Sequence, residues 1–309
     1  MGTALGYVKW RHLPPLLFVI GSIISWAVIG VPYEQDVLFG WLLIGLGCFS
    51  IGDLSGYARG LVRDWLPFFL ILWAYDLLRG SAGKLFSVHF MPPIDFDRWL
   101  FGGHLPTVAL QRLLWHGHVV IWDVIPWAIY MTHFFFTPVL AVILWKFNHD
   151  RFRWFSRRVI ALSFAGLVTY AVFPAAPPWM ASQNHLIEPI TRIIPAVWNY
   201  LPVHGASSLV ESGYAYANNV AAVPSLHAAF SLLVAITVWP HAGKRLRPLV
   251  ALYPLAMAFS VVYTGEHYVF DVLLGWLYTT ATLAALRLPW RLSLRRTRPP
   301  VESVAGTTG

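Results

Sequence analysis

The sequence predicts an all-α, polytopic membrane protein with about eight transmembrane helices. Three observations point there. The chain of 309 residues is 57% hydrophobic and 12% charged, with a mean hydropathy of +0.59. A soluble domain carries about 25% charged residues, so this chain has too little polar surface to face water on all sides. Apolar runs long enough to cross a bilayer recur along it. Its 16 Trp and 13 Tyr suit aromatic belts at two membrane interfaces. The formal charge of +8 is explained by cytoplasmic loops rich in Lys and Arg, and no nucleic-acid partner is expected. The one cysteine, Cys48, excludes an intramolecular disulfide and a Cys-based metal cluster.

The elements follow in order. Lys9 and Arg11 precede an apolar run at about 13–31. No small-x-small cleavage site follows it, so it reads as a retained first helix and not a signal peptide. The second run covers about 37–56. The third, about 65–79, is short and opens on Asp64-Trp65-Leu66-Pro67, a helix start with proline in the first turn. The fourth covers about 119–145 and the fifth about 159–174. After the fifth, Pro174, Pro177, Pro178 and Trp179 favour an extended exit from the membrane. The last three cover about 224–240, 248–264 and 268–286. Segment 85–112 mixes Trp, Phe, Leu, His and Arg and reads as an interfacial lid or amphipathic helix. Beyond 287 the chain is basic, then rich in Pro, Ser, Gly and Thr, and is expected to be a disordered cytoplasmic tail. Residues 1–64 are thus two N-terminal helices, 65–286 a six-helix membrane domain and 287–309 the tail.

Sidedness follows from the cations. With the N-terminus inside and eight crossings, 17 of the 22 Lys and Arg fall on the cytoplasmic side. Only Arg79, Lys84, Arg98, Arg112 and Arg192 fall outside. This is the asymmetry that positive-inside sorting produces. Both termini are then cytoplasmic. The same topology puts His227 and His267 at the extracytoplasmic ends of their helices.

Those two histidines carry the chemistry. Residues 221–230 read AAVPSLHAAF. Pro224 suits a first helical turn, and Ser225 with the amides that follow forms a helix N-terminus of the kind that attracts phosphate. His227 lies in that turn. Residues 263–271 read YTGEHYVFD. Gly265 permits a tight backbone approach before His267, and Asp271 stands four residues after it, so both project from one helical face. Asp271 can then accept the Nδ1 proton of His267 and leave Nε2 bare toward a substrate. His116, His118, Asp123 and His133 lie at or within the fourth span, with Tyr130 seven residues after Asp123. They allow a headgroup pocket, a hydrogen-bonded polar cluster or, without a convincing ligand spacing, a metal site. No metal cofactor is expected.

Pro-Ser-Leu-His at 224–227 resembles the Pro-Ser-Gly-His motif of the type-2 phosphatidic acid phosphatase superfamily, and His267 with Asp271 resembles the His-x-x-x-Asp end of its last motif. Leu226 before the histidine, His-Tyr-x-x-Asp at 267–271 and Phe-Pro-x-x-Pro-Pro-Trp at 173–179 are more similar to the inositol phosphorylceramide synthase branch. The likeness covers roughly 65–286 and implies a six-helix core. It implies His267 as a nucleophile forming phosphohistidine, Asp271 as its orienter, and His227 as the acid and base serving the leaving and incoming oxygens. Covalent catalysis of this kind splits one hard displacement into two easier ones. Two cationic elements of the superfamily are absent: the Lys and Arg-Pro motif, whose place Phe173 to Trp179 takes, and the Arg after Ser260, where Val261 stands. A transferring phosphoryl group still needs donors. Arg79 is the first choice, Arg192 the second and Lys84 the third, with Ser225 and Trp179 beside them. The expected activity is transfer of a phosphoryl or phospho-headgroup from a lipid phosphate to an alcohol, possibly of inositol type, or to water. The rival class is a membrane lipid transporter, which would show paired interrupted helices in two halves; the sequence shows none. Oligomeric state is left open.

Overall fold

The apolar runs and their polar punctuation become helices in a computed structural model that describes residues 2–28, 35–71, 86–201 and 219–286. Twelve helices are needed to place the site: α1 (Gly2–Val28), α2 (Gln35–Cys48), α3 (Leu54–Gly60), α4 (Met91–Leu100), α5 (Pro106–Leu114), α6 (Val124–Phe147), α7 (His149–Val172), α8 (Pro178–Gln183), α9 (Ile193–Tyr200), α10 (Leu226–Val238), α11 (Arg247–Tyr263) and α12 (Val269–Ala285). Arg79, Lys84 and the tail from 287 lie outside the described residues.

Ile121–Phe147 and His149–Val172 are each long and apolar enough to cross a membrane. Gly40–Cys48 with Ile51–Ile71 makes a third if that pair, bent by 71°, is one span. His12–Ser25, Leu226–His241, Arg247–Tyr263 and Val269–Ala285 are shorter apolar helices. A 17-residue helix such as α11 or α12 rises about 25 Å, close to the roughly 30 Å hydrocarbon layer. Leu16, Leu17, Ile23 and Ile24 of α1, Val168 of α7 and Leu249, Leu252 and Leu255 of α11 are exposed. Such an apolar exterior fits lipid and not water. The chain is an integral membrane protein of all-α architecture.

Several expected boundaries move. The first helix starts at Gly2, well before 13. Helix runs without a break from Ile51 to Ile71, so Asp64-Trp65-Leu66-Pro67 lies inside a helix, on a π-turn over Leu61–Trp65, and does not start one. The second span does not run unbroken from 37 to 56: α2 ends at Cys48, because Asp53 caps α3 by accepting from the Gly56 amide at 2.8 Å and starts a new helix axis. The fifth helix begins ten residues before 159. Asn148 caps it through the Arg151 amide at 3.2 Å, so the basic segment is helical too.

Trp65, Phe68, Phe152, Phe155, Leu162, Tyr170 and Leu233 form one core, joining the chain after α3 to α7 and α10. Tyr130, Ala228, Met257, Val261 and Val272 form another where α6, α10, α11 and α12 meet. The α10–α12 contact is close: a Cβ at Gly275 would stand 2.3 Å from the Ser225 carbonyl oxygen. Thr279 donates to the Ala229 carbonyl at 2.9 Å across the same seam. At the end of the bundle that carries both histidines, the described part of segment 85–112 forms two amphipathic helices, α4 and α5. Gly102 and Gly103, at φ +62 and +91, turn the chain between them through conformations that glycine adopts without strain. Trp99 and Leu113 stay exposed while Ile94, Asp97, Val108 and Gln111 turn inward. The exit at 173–177 is extended, as its prolines predict, and bridges His89 and Ala221 through Ala175. Pro178 then opens α8, so Trp179 is helical.

Candidate active site

The site is built from two chain segments that each start a helix. In the first, Ser225 is the N-cap of α10, and its hydroxyl accepts from the Ala228 amide at 3.3 Å. Pro224 thus stands just before the helix and not in its first turn; Tyr170 holds the Pro224 carbonyl through its hydroxyl at 2.8 Å. Ser225 is fully buried. His227 is the second residue of the helix.

In the second segment α11 stops at Tyr263. Gly265 reverses the chain at φ +82, a left-handed conformation that favours glycine. The amides of Glu266 and His267 both return to the Val261 carbonyl at 3.0 Å. His267 therefore precedes α12, whose N-cap is Tyr268. The expectation that His267 and Asp271 share one helical face is corrected: the pair forms by helix capping. Asp271 Oδ2 accepts from the Tyr268 amide at 2.9 Å and lies 3.3 Å from His267 Nδ1. Asp271 is fully buried and His267 is 6% exposed.

The segments meet at the two imidazoles. His267 Nε2 lies 3.3 Å from His227 Nδ1, and their ring centroids are 5.4 Å apart. The Ser225 amide donates to the Asp271 carbonyl at 3.0 Å, which ties the two helix starts together beside that contact. If His267 Nδ1–H donates to the Asp271 carboxylate, then Nε2 presents a lone pair and accepts from His227 Nδ1–H. The arrangement is a carboxylate, an imidazole oriented by it, and a second imidazole facing the nitrogen so exposed.

Arg192 and Trp179 stand together at the neighbouring turn. Arg192 donates two bonds to Glu266, at 2.8 and 3.0 Å, and its guanidinium lies 4.3 Å from the Trp179 ring. The Trp179 amide donates to the Gly265 carbonyl at 3.2 Å. Both predicted residues thus adjoin the turn that carries His267. The group at 116–133 divides. Asp123 is buried, accepting from the Tyr263 hydroxyl at 2.6 Å and the Val120 amide at 2.9 Å. His116 and His118 are exposed. His133 and Tyr130 instead lie against the His227 ring.

Asp97, Gln111 and Glu266 escaped the sequence reading. Asp97 is fully buried; its carboxylate accepts from the Val269 and Phe270 amides at 3.0 and 2.9 Å, the first turn of the helix that holds Asp271. Burial pushes its carboxyl up to about 6, against the pull of those two amides and with a further push from Asp271. Gln111 donates to the carbonyls of Thr191 and Tyr263 at 2.8 and 2.9 Å and accepts from the Thr191 amide at 2.8 Å. The signal available was a polar residue on the apolar face of an amphipathic segment: Asp97 lies three residues from Ile94, and Gln111 three from Val108.

The family described as the PAP2 superfamily matches residues 94–285. The chain is 30% identical over 237 residues to the phosphoinositol dihydroceramide synthase of Bacteroides thetaiotaomicron, covering 70% of this chain and 73% of that protein. No solved structure matches.

Proposed function

Because this chain belongs to the PAP2 superfamily and is a lipid phosphatase or phosphotransferase, we propose that it moves a phospho-headgroup from a membrane lipid to an alcohol through a covalent adduct on His267. The observation that carries the proposal is the line Asp271, His267, His227, with contacts of 3.3 Å at each step. His267 Nε2 attacks phosphorus. The N–P bond forms as the bond from phosphorus to the diacylglycerol-type oxygen breaks, and that oxygen takes a proton from the imidazolium form of His227, leaving the ring neutral. The acceptor hydroxyl then gives its proton to His227 and attacks phosphorus from the other side, breaking the N–P bond. Acid–base help of this kind is worth about 10²–10⁴ in rate. A phosphate oxygen must replace the direct contact of the two imidazoles, so substrate entry widens their 3.3 Å separation.

For the equatorial oxygens the proposal uses Arg192, held by Glu266 and Trp179, and the first-turn amides of α10, which have no acceptor within their own helix. Ser225 contributes by fixing that helix end, its hydroxyl accepting from the Ala228 amide. The likeness to a phosphoinositol dihydroceramide synthase supports an inositol-type phosphodiester as donor and a long-chain lipid alcohol as acceptor, with water as the competing acceptor. The 17-to-5 split of cations supports a site on the extracytoplasmic side with both termini in the cytoplasm.

The test is turnover of purified protein on labelled phosphatidylinositol with dihydroceramide, alongside other phospholipids and polyprenyl phosphates. Wild type should transfer or release the labelled headgroup and be inhibited by vanadate, which mimics five-coordinate phosphorus. His227→Ala and His267→Ala should each be inactive and folded. Normal turnover by either variant overturns the assignment.

A further inference from the structure

The acid–base group His227 does not stand alone on α10. Two rings of α6 lie against it: Tyr130, with centroids 4.5 Å apart and planes 24° apart, and His133, at 4.1 Å and 35°. Tyr130 and His133 are three residues apart on one helix, so they share a face. His133 also stacks on Phe230, at 5.6 Å and 21°, and Phe230 is one turn beyond His227 on α10. The His133 ring thus contacts two successive rings of α10. Phe134 meets His227 edge-on at 6.1 Å.

Orientation matters here because a histidine has two ring nitrogens and a broad χ2 well. Turning the His227 ring over would replace Nδ1 by a carbon opposite His267. Flat neighbours at 4.1 and 4.5 Å hold the plane of the ring, and the 3.3 Å contact of Nδ1 with His267 Nε2 selects between its two flips. An aliphatic side chain of similar volume would fill the space without presenting a plane.

We propose that His133, backed by Tyr130, is a positioning residue for the acid–base step: its ring holds the His227 imidazole with Nδ1 aimed at the place where the scissile oxygen leaves. The inference rests on the role given to His227 above. It assigns α6, which carries neither motif, a direct part in the reaction.

Full-length His133→Leu and His133→Phe test it, with kcat and KM on phosphatidylinositol and dihydroceramide, the Kd of orthovanadate, and Tm. His133→Leu should lower kcat by about 10- to 100-fold, the scale of a catalytic group displaced by a fraction of an ångström to an ångström. KM should stay within about twofold, since the interaction acts in the transition state. Vanadate should bind about tenfold more weakly to this variant. His133→Phe keeps the plane and should recover kcat and vanadate binding to within about threefold of wild type, at the same Tm as His133→Leu. Three results overturn the proposal: wild-type kcat in His133→Leu, equal losses in both variants, or losses that simply follow Tm. His227→Ala, measured in parallel, separates the two layers. If it turns over normally, the reading of His227 fails and this inference with it. If it is inactive while His133→Leu is normal, only this inference fails.

Discussion

Asp97→Asn isolates the carboxylate that holds the start of α12. In the folded protein Asp97 is fully buried and its carboxyl is pushed up to about 6 from its ordinary 3.8. Burial is the main cause, opposed by the amides of Phe270 and Val269 and reinforced by Asp271. The unfolded chain releases this proton near 3.8, and the folded chain keeps it until about 6. Between those values the folded state binds more protons, so the stability conferred by protonated Asp97 falls as pH rises from about 4 to about 6 and is level above. A gap of about two units corresponds to about 3 kcal/mol. At about 2–4 °C per kcal/mol for a large domain, that is roughly 6–12 °C in Tm. Asn does not titrate. It still accepts one amide but turns its own N–H₂ toward the other, so its curve is offset by a constant amount, and the change of the gap with pH is diagnostic. Thermal unfolding in detergent at half-unit steps from pH 4 to pH 8, followed by tryptophan fluorescence, gives both curves. Wild type should lose about 3 kcal/mol relative to Asp97→Asn between pH 4 and 6. Parallel curves would refute the burial argument, and a gap moving the opposite way would mean that the two amides outweigh burial.

Arg192→Lys keeps a charge but loses the two-bond fork to Glu266; KM for the donor lipid should rise about tenfold with kcat changing less, and an unchanged KM would remove Arg192 from the phosphate site. Arg192→Ala leaves Glu266, 8% exposed, without that partner. Adding Glu266→Ala to it should therefore raise Tm above the single variant, and no gain would show the pair to be neutral. Gly275→Ala would put a methyl group 2.3 Å from the Ser225 carbonyl oxygen and 3.3 Å from the Ala228 Cβ. Helix α12 must then move away from α10, at a cost of about 1–3 kcal/mol, and turnover should fall with it; an unaltered Tm and rate would mean that the seam tolerates the shift.

His227, His267 and Asp271 were legible in the sequence because each sits in a short motif at a helix start, and the distribution of cations put both motifs at one end of the bundle. The ends of α10, α11 and α12 fall close to the apolar runs for the same reason. What the sequence hid is non-local. Asp97 meets α12 across 172 residues, and Gln111 meets Tyr263 across 152; neither partner carries a local signature. The i,i+4 spacing predicts the Asp271–His267 pair but not its geometry, because Gly265 ends one helix before the histidine and the aspartate caps the next. Asp123 was grouped with His133 by counting along an unbroken helix. It closes a 3-10 turn before α6, so that phase does not carry through, and the two residues serve different neighbours.

The proposed mechanism stands on a covalent bond between phosphorus and His267. Wild type and His267→Ala are mixed with phosphatidylinositol labelled on phosphorus, quenched in alkali to preserve P–N bonds, digested and sequenced by mass. Label on the peptide containing His267 in wild type, absent from His267→Ala, is the predicted result. Turnover with no labelled protein, or label that persists in His267→Ala, would contradict it.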